Sequence, residues 1–303
     1  MVILAKGVIK VKCIIENDFL VVETNTHGGE VHSIKGKKSN EEYIWRGIPF
    51  WWKIYSPVLF PVIGKTKELE YNYNGKTYFM PQHGFASRSK YKLIENKDNK
   101  VAFELKDNDE TKEIYPFKFS LINEYELENN KIIVTHIVKN SDNKEMYFSI
   151  GAHPALKCPM YGEEDTLEDY ILEFDKTENS SIYEINKDDY LTGNKKLYFN
   201  NTNKIYLSEE VFKDGTLIFS DLNSEKVTLK SKKHNRKVTV KFDDFPILAI
   251  WAPDRRTNFV CIEPWHGHAD LEDFNGDIKE KKGIITLEAG KEFRCSYSIE
   301  ITE

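Results

Sequence analysis

The stretch Val260–Asp270 reads Val-Cys-Ile-Glu-Pro-Trp-His-Gly-His-Ala-Asp, and four of its side chains could bind a metal ion or move a proton: Glu263, His266, His268 and Asp270. Cys261-Ile262 reads as the end of a buried strand, which sets the Glu263 carboxylate among apolar neighbours. Desolvation raises a carboxylate's pKa and makes it a better proton acceptor near neutral pH. A metal site needs convergent ligands instead. His266 and His268 are separated by one residue, so a strand would set both on one face and continue it to Asp270. Pro264 and Gly267 argue against a regular strand here, and neither His-Glu-x-x-His nor a Cys/His ligand set occurs. The spacing gives a metal site little support, and no metal is expected.

Two further segments join a histidine to glycine or proline. In Pro81-Gln82-His83-Gly84-Phe85-Ala86 the glycine permits close backbone approach, so the ring can turn into a cleft. In Ile150-Gly151-Ala152-His153-Pro154-Ala155 the small residues leave room for a ligand, and Pro154 biases His153 toward extended backbone. On the residues alone, either ring could equally serve a turn. Trp45, Trp51, Trp52, Trp251 and Trp265 suit the faces of a sugar as well as a core. No Gly-x-Ser-x-Gly elbow, phosphate-cradling Gly-Lys-Ser/Thr loop or dinucleotide fingerprint occurs.

The elements that must position these side chains read almost entirely as strands. In Lys237–Phe242 the residues Val238, Val240 and Phe242 alternate with Lys237, Thr239 and Lys241, the period-2 pattern of a half-buried strand. Lys131–Val138 is apolar on both faces, as a strand deep in a sandwich would be. Asn74-Gly75 predicts a hairpin, because a type I′ turn needs positive φ at both central residues. Glu16-Asn17-Asp18, Asn96–Asn99, Asn129-Asn130 and His234-Asn235 are further turn candidates. Frequent strands joined by polar turns predict an all-β chain, a large antiparallel β-sandwich or barrel. The polar stretch 163–203 is expected to leave the core as a long loop or a short helix. With no internal repeat or linker, residues 1–303 are expected to form a single domain.

Composition narrows the partners. Of 303 residues 40% are hydrophobic and 30% charged, an ordinary folded composition. A net charge of −6 gives no basic footprint for nucleic acid or an anionic membrane. Cys13, Cys158, Cys261 and Cys295 lie far apart with no Cys-x-x-Cys pair, as buried reduced thiols would. The N-terminal run is broken by lysines and shows no signal-peptide cleavage site, and no apolar stretch approaches the roughly 18 residues that span a bilayer. A cytoplasmic location is expected.

Taken together the motifs resemble the aldose 1-epimerase (galactose mutarotase-like) family, in particular a LacX-like bacterial branch. The resemblance runs through Thr26-His27-Gly28-Gly29-Glu30, Tyr43-Ile44-Trp45 with Trp51, and Ser56-Pro57-Val58-Leu59-Phe60-Pro61-Val62-Ile63-Gly64. It continues through His83-Gly84-Phe85-Ala86, Gly151-Ala152-His153-Pro154, Ile250-Trp251 and Cys261-Ile262-Glu263-Pro264-Trp265, and ends with the strand after Gly283-Ile284-Ile285-Thr286-Leu287. It implies a supersandwich fold and interconversion of the α and β anomers of a free hexose, without metal or organic cofactor. Glu263 then matches the general base toward O1, His153 the general acid toward the ring oxygen, and His83 a histidine that binds and polarises the sugar. A histidine titrating near pH 6.5 suits such an acid.

The pattern departs from the family at its sugar contacts. Lys65 stands where many relatives carry an arginine, and a point donor replaces a fork. Ser87 follows Ala86 and displaces Arg88 by one position, which in a strand would turn it to the other side. Asp214 most nearly matches a family aspartate that binds a sugar hydroxyl, and Trp251 offers a stacking face. Lys65 and Arg88 would also be the cations for a hexose 6-phosphate, an alternative substrate. A non-catalytic sugar-binding protein on the same fold is the second alternative. A monomer and a homodimer are equally compatible with the sequence. His266 and His268 are read as rim residues and Asp270 as structural.

Overall fold

The structure is a computed structural model that describes residues 11–50, 52–161, 164–253 and 258–303. The N-terminal run 1–10, read above for a signal peptide, and Trp51 lie outside the described residues. Two large antiparallel sheets dominate. The nine-stranded sheet runs Thr202–Tyr206, Tyr170–Glu178, Lys226–Ser231, Lys237–Lys241, Glu292–Thr302, Lys131–Asn140, Phe119–Glu128, Lys100–Lys106 and Lys92–Asn96 in spatial order. The eight-stranded sheet runs Leu191–Leu197, Ser181–Ile185, Leu217–Phe219, Ile247–Trp251, Phe259–His266, Ile150–Ala152 and Val58–Leu59, with Ala155–Lys157 also paired to Phe259–His266. A three-stranded sheet (Lys12–Glu16, Leu20–Asn25, Glu30–Gly36) and two strand pairs complete the β structure. Among the described residues, no helix is long and apolar enough to cross a membrane.

The alternation in the sequence produces this arrangement. Val238 and Val240 are buried, while Lys237 and Lys241 are exposed. Each buried Val or Ile stabilises the fold by roughly 1.5–3 kcal/mol. Lys131–Asn140 lies between two long strands and is buried over most of its length. Asn74 and Gly75 both have positive φ (50° and 76°) and join Glu70–Tyr73 to Lys76–Phe79. The four other turn candidates also connect adjacent paired strands. One apolar cluster draws on both large sheets: Val134, Val238 and Ile299 from one, Val260, Ile262 and Ile250 from the other.

Two local expectations are corrected. The polar stretch 163–203 is largely sheet, supplying Tyr170–Glu178, Ser181–Ile185 and Leu191–Leu197. It reads as polar because Leu191–Leu197 is the edge of its sheet, and its exposed lysines, Lys195 and Lys196, keep that edge from pairing. Among its described residues the helical content is one short 3-10 turn, Leu167–Asp169. The second correction is that Phe259–His266 runs unbroken through Pro264, which pairs with Leu248. The Ile262 N–H points toward Pro154 O, so the Pro264 nitrogen, two residues on, points to the same side. That side is where the neighbouring chain breaks between Ile150–Ala152 and Ala155–Lys157, and no donor is missed there.

Candidate active site

Alternation along Phe259–His266 sorts its side chains between two faces. Val260 and Ile262 enter the core between the sheets, and Cys261, Glu263 and Trp265 face the other way. Trp265, Ile247, Ala249, Leu59 and Ile218 form a separate apolar cluster on that second face. Above it opens a cleft of about 1260 Å³. All seven residues proposed from sequence line it: Lys65, His83, Arg88, His153, Asp214, Trp251 and Glu263.

Glu263 sits on the floor, 1% exposed, directly opposite Ala249 in the neighbouring strand. Its Oε2 has no hydrogen-bond partner. Burial pushes the carboxyl well above the usual carboxylate range, with the neighbouring Trp265 indole acting weakly against it. His153 reaches Glu263 from the strand break, Nε2 to Oε2 at 3.4 Å. Its backbone N–H donates to Pro57 O at 3.0 Å. Ser56 N–H in turn donates to the buried Glu30 carboxylate at 2.9 Å, so the Gly28-Gly29-Glu30 motif fixes the segment that holds His153. Gly151 makes the approach possible, since a Cβ there would lie 2.7 Å from the Trp265 ring. Burial lowers the His153 pKa to about 3, with His83 adding to the effect. The expectation of a histidine titrating near pH 6.5 is thereby corrected: His153 is neutral at physiological pH.

His83 lies beside it, the ring centroids 5.7 Å apart and nearly perpendicular. Its backbone is left-handed (φ 62°), followed by left-handed Gly84, whose missing Cβ would otherwise meet Phe60 O at 2.1 Å. Gly64 holds the residue at both ends: His83 N–H donates to Gly64 O (2.9 Å), and Gly64 N–H donates to His83 Nδ1 (3.1 Å). An accepting Nδ1 fixes the tautomer with the proton on Nε2. Burial first, then Arg88, lowers the His83 pKa to about 4, so the ring is a neutral donor.

Trp52 and Trp251 wall the site, with centroids 5.3 and 5.8 Å from the His153 ring. Lys65 is held by Asp189, Nζ to Oδ2 at 2.5 Å. Asp214 is exposed and pairs with Lys196 at 3.4 Å. Arg88 ends a short 3-10 turn, Ala86–Arg88, so its one-residue displacement does not carry it away from the cleft, contrary to the strand-based expectation. No carboxylate among the described residues pairs with it.

His266 and His268 are not rim residues. His266 packs between Phe245 and Phe293, on the opposite face of its strand from Glu263. His268 is 3% exposed and its Nδ1–H donates to Ala269 O at 2.7 Å. Asp270 is bound to Lys281 and accepts from Lys67 N–H at 2.9 Å, a structural role that anchors the loop after Lys65. Sequence reasoning named Trp52 among five tryptophans without singling it out as a wall residue, and it missed Asp189 as the partner of Lys65. Trp52 stood in an aromatic run, but Asp189 is 124 positions from Lys65 and gave no local signal.

A model of the aldose 1-epimerase family matches residues 12–286. The chain belongs to that family. Protein LacX from Lactococcus lactis subsp. lactis, in its chromosomal form, is 33% identical over 300 residues, covering 95% of this chain and 98% of the relative. A galactose mutarotase related enzyme from Lactobacillus acidophilus superposes with a TM-score of 0.92 at 36% identity, covering 97% of this chain and 98% of that one. A galactose mutarotase-like protein from Lactobacillus casei gives 0.91 at 29% identity, covering 96% and 100%. In this member of the aldose 1-epimerase family, the supersandwich places its cleft on the outer face of the smaller sheet.

Proposed function

We propose that the protein is an aldose 1-epimerase that interconverts the α and β anomers of a free hexose, with Glu263 and His153 moving the protons. The observation that carries this reading is the pairing of Glu263 Oε2 and His153 Nε2 at 3.4 Å on the floor of a walled cleft. Burial holds both groups neutral, with the proton on Glu263. Passing that proton to Nε2 creates a carboxylate and an imidazolium with no change in net charge. The carboxylate takes the O1 proton as the C1–O1 bond becomes a carbonyl. The electron pair of the breaking C1–O5 bond goes to O5, which receives the imidazolium proton. The open-chain aldehyde rotates about C1–C2, and the reverse transfers close the ring on the other face. Each turnover returns the proton to its starting place.

In this reading His83 donates through Nε2–H to a sugar oxygen, and Trp52 and Trp251 offer apolar faces to the ring. Lys65, Arg88 and Asp214 bind hydroxyl groups farther out. A hexose 6-phosphate would have to rely on Arg88, because Asp189 already occupies Lys65. The single-domain organisation and a cytoplasmic location remain parts of the same proposal.

The test follows the optical rotation of freshly dissolved α-glucose, α-galactose and α-glucose 6-phosphate. Equilibration of a free hexose well above the buffer rate supports the proposal. Faster turnover of the phosphate than of either free sugar transfers the reading to a sugar-phosphate epimerase. Sugar binding by calorimetry with no acceleration would leave a binding protein.

A further inference from the structure

Cys261 is a third reactive group beside Glu263 and His153, and the proposed chemistry does not use it. It shares a strand face with Glu263, two residues away, and lies opposite Ala155, just past the break that supplies His153. The ligand atoms of all three, His153 nitrogen, Cys261 sulfur and a Glu263 oxygen, lie within 4.8 Å of one another. The four cysteines are all free and buried, and only Cys261 joins such a group among the described residues.

We propose that His153, Cys261 and Glu263 form a binding site for a zinc-like divalent cation, and that filling it switches the active site off. Tetrahedral zinc places sulfur at about 2.3 Å and nitrogen or oxygen at about 2.0–2.2 Å, so donor atoms stand on the order of 3.5 Å apart. The 3.4 Å between His153 Nε2 and Glu263 Oε2 already meets this. Closing the sulfur onto the same centre takes a shift of about 1 Å at most, within reach of a cysteine side-chain rotation. The buried Oε2 has no hydrogen-bond partner, and a cation would coordinate it instead. Charge also balances: thiolate, carboxylate and neutral imidazole offset a dication, so the filled site carries no net charge into a buried setting.

A thiolate–imidazole–carboxylate set favours zinc over the hard ions magnesium and calcium. Three protein ligands leave the fourth position open toward the cleft, for water or a sugar hydroxyl. The inhibitory effect rests on the acid–base reading of Glu263 and His153, since the cation would occupy both proton carriers. The site itself does not depend on that reading.

The experiment titrates protein freed of metal by a chelator with Co²⁺, then with Zn²⁺. Wild type should bind one Co²⁺ with a thiolate-to-cobalt charge-transfer band, and Zn²⁺ should bleach it. Cys261→Ala, or Cys261→Ser if the alanine variant does not fold, should lack the band and bind Zn²⁺ at least about tenfold more weakly. In the anomerisation assay Zn²⁺ should inhibit wild type reversibly, with sensitivity at least tenfold lower in the cysteine variant, whose basal activity persists. Absence of the cobalt band in wild type, or equal Zn²⁺ sensitivity with and without the thiol, overturns the proposal. A band in a protein without epimerase activity would uphold the metal site and remove only the proposed function.

Discussion

Each of the two large sheets buries a glutamate, with a buried histidine in the sheet or at a break in its strands, and they treat them differently. In the nine-stranded sheet Glu178 is fully enclosed, but its carboxylate accepts from Asn223 N–H and side chain, Ser224 N–H and the Ser224 hydroxyl. His136 in the same sheet shares a 2.9 Å hydrogen bond with Asn123, leaving only Nε2 bare. In the eight-stranded sheet Glu263 is as deeply buried, yet its Oε2 meets no donor, and His153 Nδ1 is also unpartnered. Burial is common to both regions, so burial alone does not mark an active site. What separates them is that the second pair faces a cleft with unspent hydrogen-bonding capacity, the condition a ligand or a transferred proton can relieve.

The largest expected effect tests the cleft pair. Glu263→Gln should lower the anomerisation rate 10²- to 10⁴-fold, about 3–5 kcal/mol of barrier. The same change should leave thermal stability at pH 7 little altered, because a neutral amide of the same size replaces a carboxyl that burial holds neutral. Rate and melting temperature measured on one preparation check both halves. A near-wild-type rate would remove Glu263 from the chemistry. Glu178→Ala should do the reverse. Stripping the acceptor from buried Ser224 leaves its N–H and hydroxyl unsatisfied, at roughly 1–3 kcal/mol each, while the exposed Asn223 can turn its donors to water. We expect a total loss of about 3 kcal/mol in denaturant unfolding, with the rate within about twofold of wild type. If the stability loss fell on Glu263→Gln and the rate loss on Glu178→Ala, the contrast between the sheets would be inverted.

Much of this contrast could be read from the sequence. Glu263, His153 and His83 each stood beside glycine, proline or small residues, and the structure explains why: Gly151 admits the Trp265 ring, and Gly84 sits against the Phe60 carbonyl. The alternation of Val238 and Val240 and the Asn74-Gly75 turn gave the sheet architecture directly. The polar segment 163–203 was misread because an edge strand needs no second apolar face. The strand through Pro264 was missed because the proline's tolerance depends on a gap in a neighbour more than 100 residues away. His266 and His268 looked like partners only on a continuous strand, but the strand ends at His266 and the chain turns at left-handed Gly267, which sends His268 toward Tyr183 and leaves His266 against Phe245. The Lys65–Asp189 and Lys281–Asp270 pairs are tertiary facts that local pattern does not encode.

A pH series gives the next effect in size. His136 has no charged residue against its ring: Asn123 binds it, Cys295 lies opposite in the adjacent strand, and Tyr297 is 6.1 Å away. Burial alone lowers its pKa from 6.5 to about 3. Between those values the unfolded chain binds a proton that the folded chain refuses, so stability rises with pH there. Its contribution is fully present above about pH 6.5 and is lost as pH falls toward about 3. From pH 6.5 to 5 that amounts to about 2 kcal/mol. His136→Asn should flatten the pH 7 to pH 5 stability difference by about this much while leaving the rate near wild type. An unchanged difference would mean that His136 already accepts a proton when folded.

The smallest effect separates two cations within the cleft. Lys65 is tied to Asp189, and an exposed pair of this kind contributes about 0.2–1 kcal/mol to stability. Its ammonium is therefore partly satisfied before a sugar arrives, whereas Arg88 faces the same cleft without a carboxylate among the described residues. Arg88→Ala should raise KM for the preferred free hexose about three- to tenfold, the loss of one solvent-screened hydrogen bond of about 0.6–1.4 kcal/mol from an exposed side chain. Lys65→Ala should raise it less than about threefold, and neither should change kcat by more than about twofold, since both sit away from the Glu263–His153 pair. A larger KM effect at Lys65 would mean that the sugar displaces Asp189. The ion pair would then be a latch that opens on binding, and Asp189→Asn, by freeing the ammonium in advance, should lower KM.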